Sequence, residues 1–156
     1  MDITAEIKVS LGDEWLPVLY ESKVRPQRTR SIHIDVPQRE NDPAIQYTLL
    51  GIELQVGKRR FACPDLATAR YMRIFARLGC RDFAIPYDIT KISPLADELE
   101  TSWQRSIFLV TEVTRKESDK GKKLVKTKLV KAIRAEIETA GAGELMPEFD
   151  RETKQR

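Results

Sequence analysis

The chain has 156 residues, 41% of them apolar and 33% charged, with a net charge of +3. That length suits one domain able to bury a core without disulfides or metals, and the composition excludes wholesale disorder. The longest run of large apolar residues, at 107–110, is far too short for a helix that crosses a bilayer.

In chain order, Ile3, Ala5, Ile7 and Val9 alternate with Thr4, Glu6, Lys8 and Ser10. A period of two predicts a strand over 2–10 with one buried face. Leu11-Gly12-Asp13 supplies turn chemistry. Leu16, Val18 and Tyr20 alternate again, and Pro17 marks 14–22 as an edge strand, so the two segments are expected to form a hairpin. A basic connector occupies 23–30. Ile32, Ile34 and Val36 predict a third strand at 31–36, and 37–43 reads as a polar loop. Residues 45–56 read as one long strand whose apolar phase shifts at Leu49-Leu50-Gly51, which predicts a bulge or kink at Gly51. Val56-Gly57-Lys58 is a tight turn into a short strand at 59–63. The simplest arrangement is five antiparallel strands in sequence order, as a meander or a small open barrel.

The period then changes. Pro64-Asp65 opens a helix and Gly79 closes it. Apolar residues cover most of its circumference, so it is expected to pack across the sheet with Ile74, Phe75 and Leu78 in the interface. Residues 82–86 form either a sixth strand or extended coil. Ser93-Pro94 is a helix start, and the helix is expected to run over 94–116, although 106–114 is β-branched enough to be a strand instead. After a loop at 117–121, an amphipathic helix occupies 122–140. Val125, Leu129, Ala132, Ile133 and Ile137 lie on one side of it, and Lys128, Lys131 and Arg134 on the other. The expected fold class is therefore α+β: an N-terminal antiparallel sheet, one packed helix and a C-terminal helical hairpin over 1–143, with a mobile charged tail at 144–156.

Catalytic signatures are sparse. The single histidine, His33, shares a strand face with Asp35, a pairing better read as two polar residues on a wet face than as an acid–base pair. Cys63 precedes a helix N-terminus, where a thiol can be activated, but no partner base is identified and a small buried hydrophobe is the better reading. Cys63 and Cys80 match no metal or redox spacing and are expected to be reduced. No phosphate-binding glycine loop or metal motif occurs. The enzyme class is accordingly disfavoured, and no cofactor or metal is expected.

Charge distribution carries more information. Residues 115–134 hold nine basic and two acidic side chains, a net +7. The rest of the chain must then sum to −4. Arg70, Arg73 and Arg77 fall within about 60° on a helical wheel, and Arg59 and Arg60 precede that helix. A guanidinium ridge suits phosphate or carboxylate recognition. The lysine-rich stretch adds Lys122, Lys123, Lys128, Lys131 and Arg134. It lacks the Trp or Phe anchors of a membrane-surface helix. The expected function is non-enzymatic binding of an acidic protein partner through these basic helical surfaces, as a small adaptor or assembly factor. The alternative is a nucleic-acid binder using the same Arg and Lys side chains. With no basic leader and apolar run at the N-terminus, cytoplasmic residence is the default expectation.

Overall fold

Residues 2–143 are described by the computed structural model, and their first segment is helical rather than stranded. The expected tail at 144–156 lies outside the described residues. Helix α1 spans Ile3–Leu11, capped by Asp2, whose carboxylate accepts the Thr4 and Ala5 amides at 3.0 and 3.4 Å. Ile7 and Leu11, four residues apart, are buried, while Ala5 and Val9 face solvent. The i,i+4 spacing of Ile3, Ile7 and Leu11 was hidden within the same apolar set that also alternates. A 3-10 turn at Gly12–Glu14 leads to α2, Leu16–Leu19, which runs on through a π-helical turn at Tyr20–Val24. Pro17 sits in the first turn of α2, where an amide is not needed for the helix ladder. Leu16, Tyr20 and Val24 are buried, again at a spacing of four. The expected N-terminal hairpin is thus corrected to a helical segment.

The strands form two separate antiparallel sheets instead of one five-stranded meander. β1 spans Thr29–His33, two residues earlier than expected, and pairs with β5, Asp82–Pro86. Ile34 and Val36 are buried as expected, and the Ile34 amide continues the pairing to the Arg81 carbonyl at 2.8 Å. β2, Ala44–Thr48, and β3, Gly51–Val56, replace the single long strand. The shift of apolar phase at Leu49-Leu50-Gly51 is a chain reversal, with Thr48 opposite Gly51, and not a bulge. β4, Arg59–Cys63, follows the tight turn at Gly57-Lys58 and completes the β2–β3–β4 sheet.

Helix α3 spans Leu66–Leu78. Asp65 caps it, accepting the Thr68 amide at 2.7 Å, and Gly79 closes it at φ +76°. It packs against β2, β3, β4, α4 and α5. Ile74, Phe75 and Leu78 are all buried. Phe75 stacks on Phe83 of β5 at 4.3 Å between centroids, and also meets Tyr71 and Tyr20. Helix α4 runs over Ile92–Val113, so 106–114 is helix. Its hydroxyl residues tolerate that conformation by bonding back one turn, as Ser106 does to the Ser102 carbonyl at 3.0 Å and Thr114 to the Val110 carbonyl at 2.6 Å. It starts before Ser93-Pro94, because Asp88 caps a preceding 3-10 turn at Ile89–Lys91. Helix α5, Asp119–Ala140, begins one turn earlier than expected, with Ser118 capping through the Gly121 amide at 3.1 Å.

The start and the end of the described chain are tied together. The Tyr20 hydroxyl donates to the Gly141 carbonyl at 2.6 Å and accepts the Ala84 amide at 2.8 Å. The Arg25 guanidinium donates to the Ala140 and Gly143 carbonyls, and the Trp15 indole donates to Glu136. Among the described residues, no helix is long and apolar enough to cross a membrane.

Candidate basic cleft

A cleft of about 770 Å³ lies between the basic face of α5, the β3–β4 turn and the 37–42 loop. Each wall follows from local sequence. On α5, Lys123, Lys126, Lys131 and Arg134 recur at helical spacing and line one flank, with Val130 buried at the base. The Gly57-Lys58 turn, with Gly57 at φ +60°, presents Lys58 and Arg59 from the opposite side. The loop contributes Arg39, and it is held by Asn41. The Asn41 side-chain amide lies 3.0 Å from the carbonyls of Pro37, Arg39 and Ala76, and its backbone amide donates to Arg77.

Gly79 makes this arrangement possible. A Cβ at that position would lie 2.5 Å from the Arg39 backbone nitrogen and oxygen, and 3.0 Å from the Arg134 guanidinium. The loop therefore rests directly on the C-terminal end of α3. Arg134 donates to the Leu78 carbonyl at 2.9 Å, which satisfies a helix-end acceptor and fixes the guanidinium at the cleft wall.

Seven Lys and Arg side chains line the cleft against two carboxylates, Glu40 and Asp42. Three of the seven are engaged: Lys126 pairs with Glu40 at 2.9 Å, Arg59 pairs with Asp35, and Arg134 holds Leu78. Arg39, Lys58, Lys123 and Lys131 make no ion pair among the described residues. Among the described residues, no aromatic side chain lines the cleft.

The structure divides the basic residues singled out from sequence. Arg59, Lys123, Lys131 and Arg134 converge on the cleft. Lys128 lies on the other flank of α5, beside Asp2 and Thr4 of α1. Arg60 is exposed on β4 opposite Gln55, pointing away from the α3 side of the sheet, and Lys122 is half-buried at the start of α5. The Arg70–Arg73–Arg77 ridge faces α4. Arg70 pairs with Asp97, and Arg77 bonds Glu100 at 3.2 Å with its guanidinium 5.8 Å above Trp103. Arg73 is half-buried, and its Nε is unbonded. The acids of the first turns of α4 pair across elements, Glu98 with Lys23 at 2.8 Å included. Lys58, which sequence places beside Arg59 and Arg60 in the turn before α3, also lines the cleft. Sequence reasoning did not single out Lys126, and it missed Arg39, which reaches the cleft through the tertiary contact at Gly79.

The groups weighed for catalysis lie elsewhere. His33 bonds Asp82 across the β1–β5 pair at 2.8 Å, not Asp35, and both partners are exposed. Burial pushes the Cys63 thiol up, away from the reactive thiolate. Cys80, fully buried, is pushed up to about 12. Both cysteines are free. Among the described residues, no group of three or more His, Cys, Asp or Glu side chains is placed to hold a metal ion. Compared with family models, with curated proteins and with solved structures, the chain matches none.

Proposed function

We propose that this chain is a non-enzymatic binding protein, a small adaptor or assembly factor, whose basic cleft receives an acidic segment of a protein partner. The observation that carries this reading is the convergence of seven cations from three elements on one concave surface, five of them without a carboxylate partner among the described residues. Bringing like charges together costs stability through mutual repulsion, and an anionic ligand relieves it. Carboxylates of an extended segment would meet Arg39 and Lys58 on one wall and Lys123 and Lys131 on the other. The competing ligand is nucleic acid, whose backbone needs only cations. The cleft offers bases no aromatic stacking platform, which favours the polypeptide.

The test is fluorescence anisotropy with a Glu/Asp-rich peptide and, in parallel, with single-stranded and duplex oligonucleotides. Each is titrated between about 50 and 200 mM salt. The peptide is expected to bind, weakening as salt rises, and the Lys123→Glu/Lys131→Glu double variant is expected to lose it. Oligonucleotide binding with a steep log–log salt slope, and none to peptide, would replace this reading by the nucleic-acid one. No binding to either would leave the cations as solvated charge.

A further inference from the structure

β2 is a free edge of the three-stranded sheet. Among the described residues it pairs only with β3, and four of its five residues are exposed, with Ile45 half-buried. Natural sheets blunt such edges with charge, proline or a bulge. The opposite edge of the same sheet, β4, carries Arg59 and Arg60, and β1 of the other sheet carries Arg30 and His33. β2 reads AIQYT, with neither charge nor proline. It continues into the Leu49-Leu50 turn, where both side chains stand essentially free in solvent, at 106% and 96% exposure, next to Tyr47 at 71%. Two-residue hairpin loops favour Asn and Gly, so these leucines are not a requirement of the turn.

The hydrogen-bond phase of the edge is fixed by the hairpin. With a two-residue loop, Thr48 and Gly51 form the hydrogen-bonded pair, and so do Gln46–Glu53 and Ala44–Gln55. The amides and carbonyls of Ile45 and Tyr47 therefore point away from β3 and are unpaired in the sheet. We infer that this edge pairs with the same edge of a second copy of the chain, antiparallel about a two-fold axis at Gln46, to make one continuous six-stranded sheet.

The segment is complementary to itself in that register and in that phase. Ile45 stands opposite the partner's Tyr47, and Tyr47 opposite the partner's Ile45. These are the residues whose backbone groups are free, so each pair exchanges two backbone hydrogen bonds. Their side chains share the α3 side of the sheet, where Ile45 and Tyr47 already lie opposite Leu54 and Ile52. An aromatic against a β-branched residue is a favourable cross-strand pair. Leu49 falls over the Pro43 end of the partner strand, which covers part of the exposed turn. Gln46 stands opposite the partner's Gln46 on the solvent face, in the closely spaced pair that makes no backbone bonds. A symmetric pairing uses one patch twice, as isologous dimers do. A five-residue seam with two turns falls below the roughly 1,200 Å² of a standard interface, so a weak, micromolar-range dimer is expected. The basic cleft is lined by α5, the β3–β4 turn and the 37–42 loop and by no residue of β2, so this association does not depend on the function proposed for it.

Sedimentation equilibrium over a concentration series tests the pairing. The mass is expected to rise from 17.9 kDa toward twice that value. Gln46→Lys and Gln46→Glu each place like charges directly opposite one another and should weaken association about fivefold. An equimolar mixture of the two variants should restore it, because Lys then faces Glu; this rescue is specific to the 46–46 register. Tyr47→Pro removes an outward amide without touching a β2–β3 bond, which edge strands tolerate, and should abolish association while the circular dichroism is retained. A mass that stays at 17.9 kDa up to millimolar protein overturns the inference. So does association that neither Gln46 variant weakens.

Discussion

Phe75→Ala probes the centre of the molecule. The Phe75 ring is fully buried, stacked on Phe83 with 6° between planes, edge-on to Tyr20 at 5.6 Å, and 5.0 Å from Tyr71. Truncation removes the ring's transfer free energy and leaves a cavity walled by three aromatic groups that cannot collapse into it. Phe→Ala in cores costs about 3–5 kcal/mol. Because ring pairs contribute about 0.5–1.5 kcal/mol beyond area, the upper end is expected here. Against a total stability of about 5–15 kcal/mol, that is a third or more. At about 2–4 °C per kcal/mol for a chain of this size, the melting temperature should fall by roughly 10–15 °C. Phe108→Ala is the control: the same substitution on a ring that is 64% exposed. Surface changes usually stay within about 0.5 kcal/mol. Urea titrations of both variants give the comparison. A Phe75→Ala loss below about 2 kcal/mol, or one equal to that of Phe108→Ala, would refute the packing of α3 described above.

Other substitutions and pH test the remaining structure. Gly79→Ala combines a left-handed backbone, worth about 1–2 kcal/mol against a side chain, with the clash against Arg39, so its urea midpoint should fall by more than the conformational term alone. Asn41→Ala leaves the carbonyls beneath the 37–42 loop without their donor. It should cost about 1–3 kcal/mol and weaken ligand binding at the cleft more than Lys128→Ala does. Cys80 has its pKa raised by burial from 9.0 to about 12, so the folded state keeps a proton that the unfolded state loses. Stability is then fully present below pH 9 and falls between pH 9 and about 12. Cys80→Ala should flatten part of that decline in alkaline urea titrations, the rest arising from Cys63, Tyr20 and Tyr71, which burial also raises. Both thiols should resist iodoacetamide in the native protein and react in urea, and intact mass should show no loss of two hydrogens.

How much of this was legible depended on whether a local signal had a competitor. α3 is announced by Pro64-Asp65, a dense apolar surface and Gly79, and no strand pattern fits the same residues. The tight turn at Gly57-Lys58 is equally unambiguous. The N-terminal segment fails for the opposite reason. Ile3, Ala5, Ile7 and Val9 satisfy a period of two, while Ile3, Ile7 and Leu11 satisfy a period of four. Only burial, which puts Ile7 and Leu11 inside and Val9 outside, decides between them. Tertiary context overrode the alternation. The two-sheet topology was not readable at all, since β1 finds β5 across a sequence separation of 49 at His33–Asp82. The cleft was half readable. Its α5 wall follows from helical spacing, but the assignment of Lys131 and Arg134 to the cleft and of Lys128 to the opposite flank depends on which neighbour each flank meets.

The bonds from Tyr20 to Gly141 and from Trp15 to Glu136 each span 121 residues, and that from Arg25 to Ala140 spans 115. Contacts of such long reach bear on how the chain emerges from a ribosome. At about 5–20 residues per second, the partners of α1 and α2 are made roughly 6–24 s after those helices themselves. For that interval the apolar stripe of Ile7, Leu11, Leu16 and Val24 lacks the part of its docking surface that α5 supplies, although each helix can form locally within microseconds and α4 is made earlier. Among the described elements, the N-terminal helices are thus synthesised first and are completed only when the end of α5 arrives.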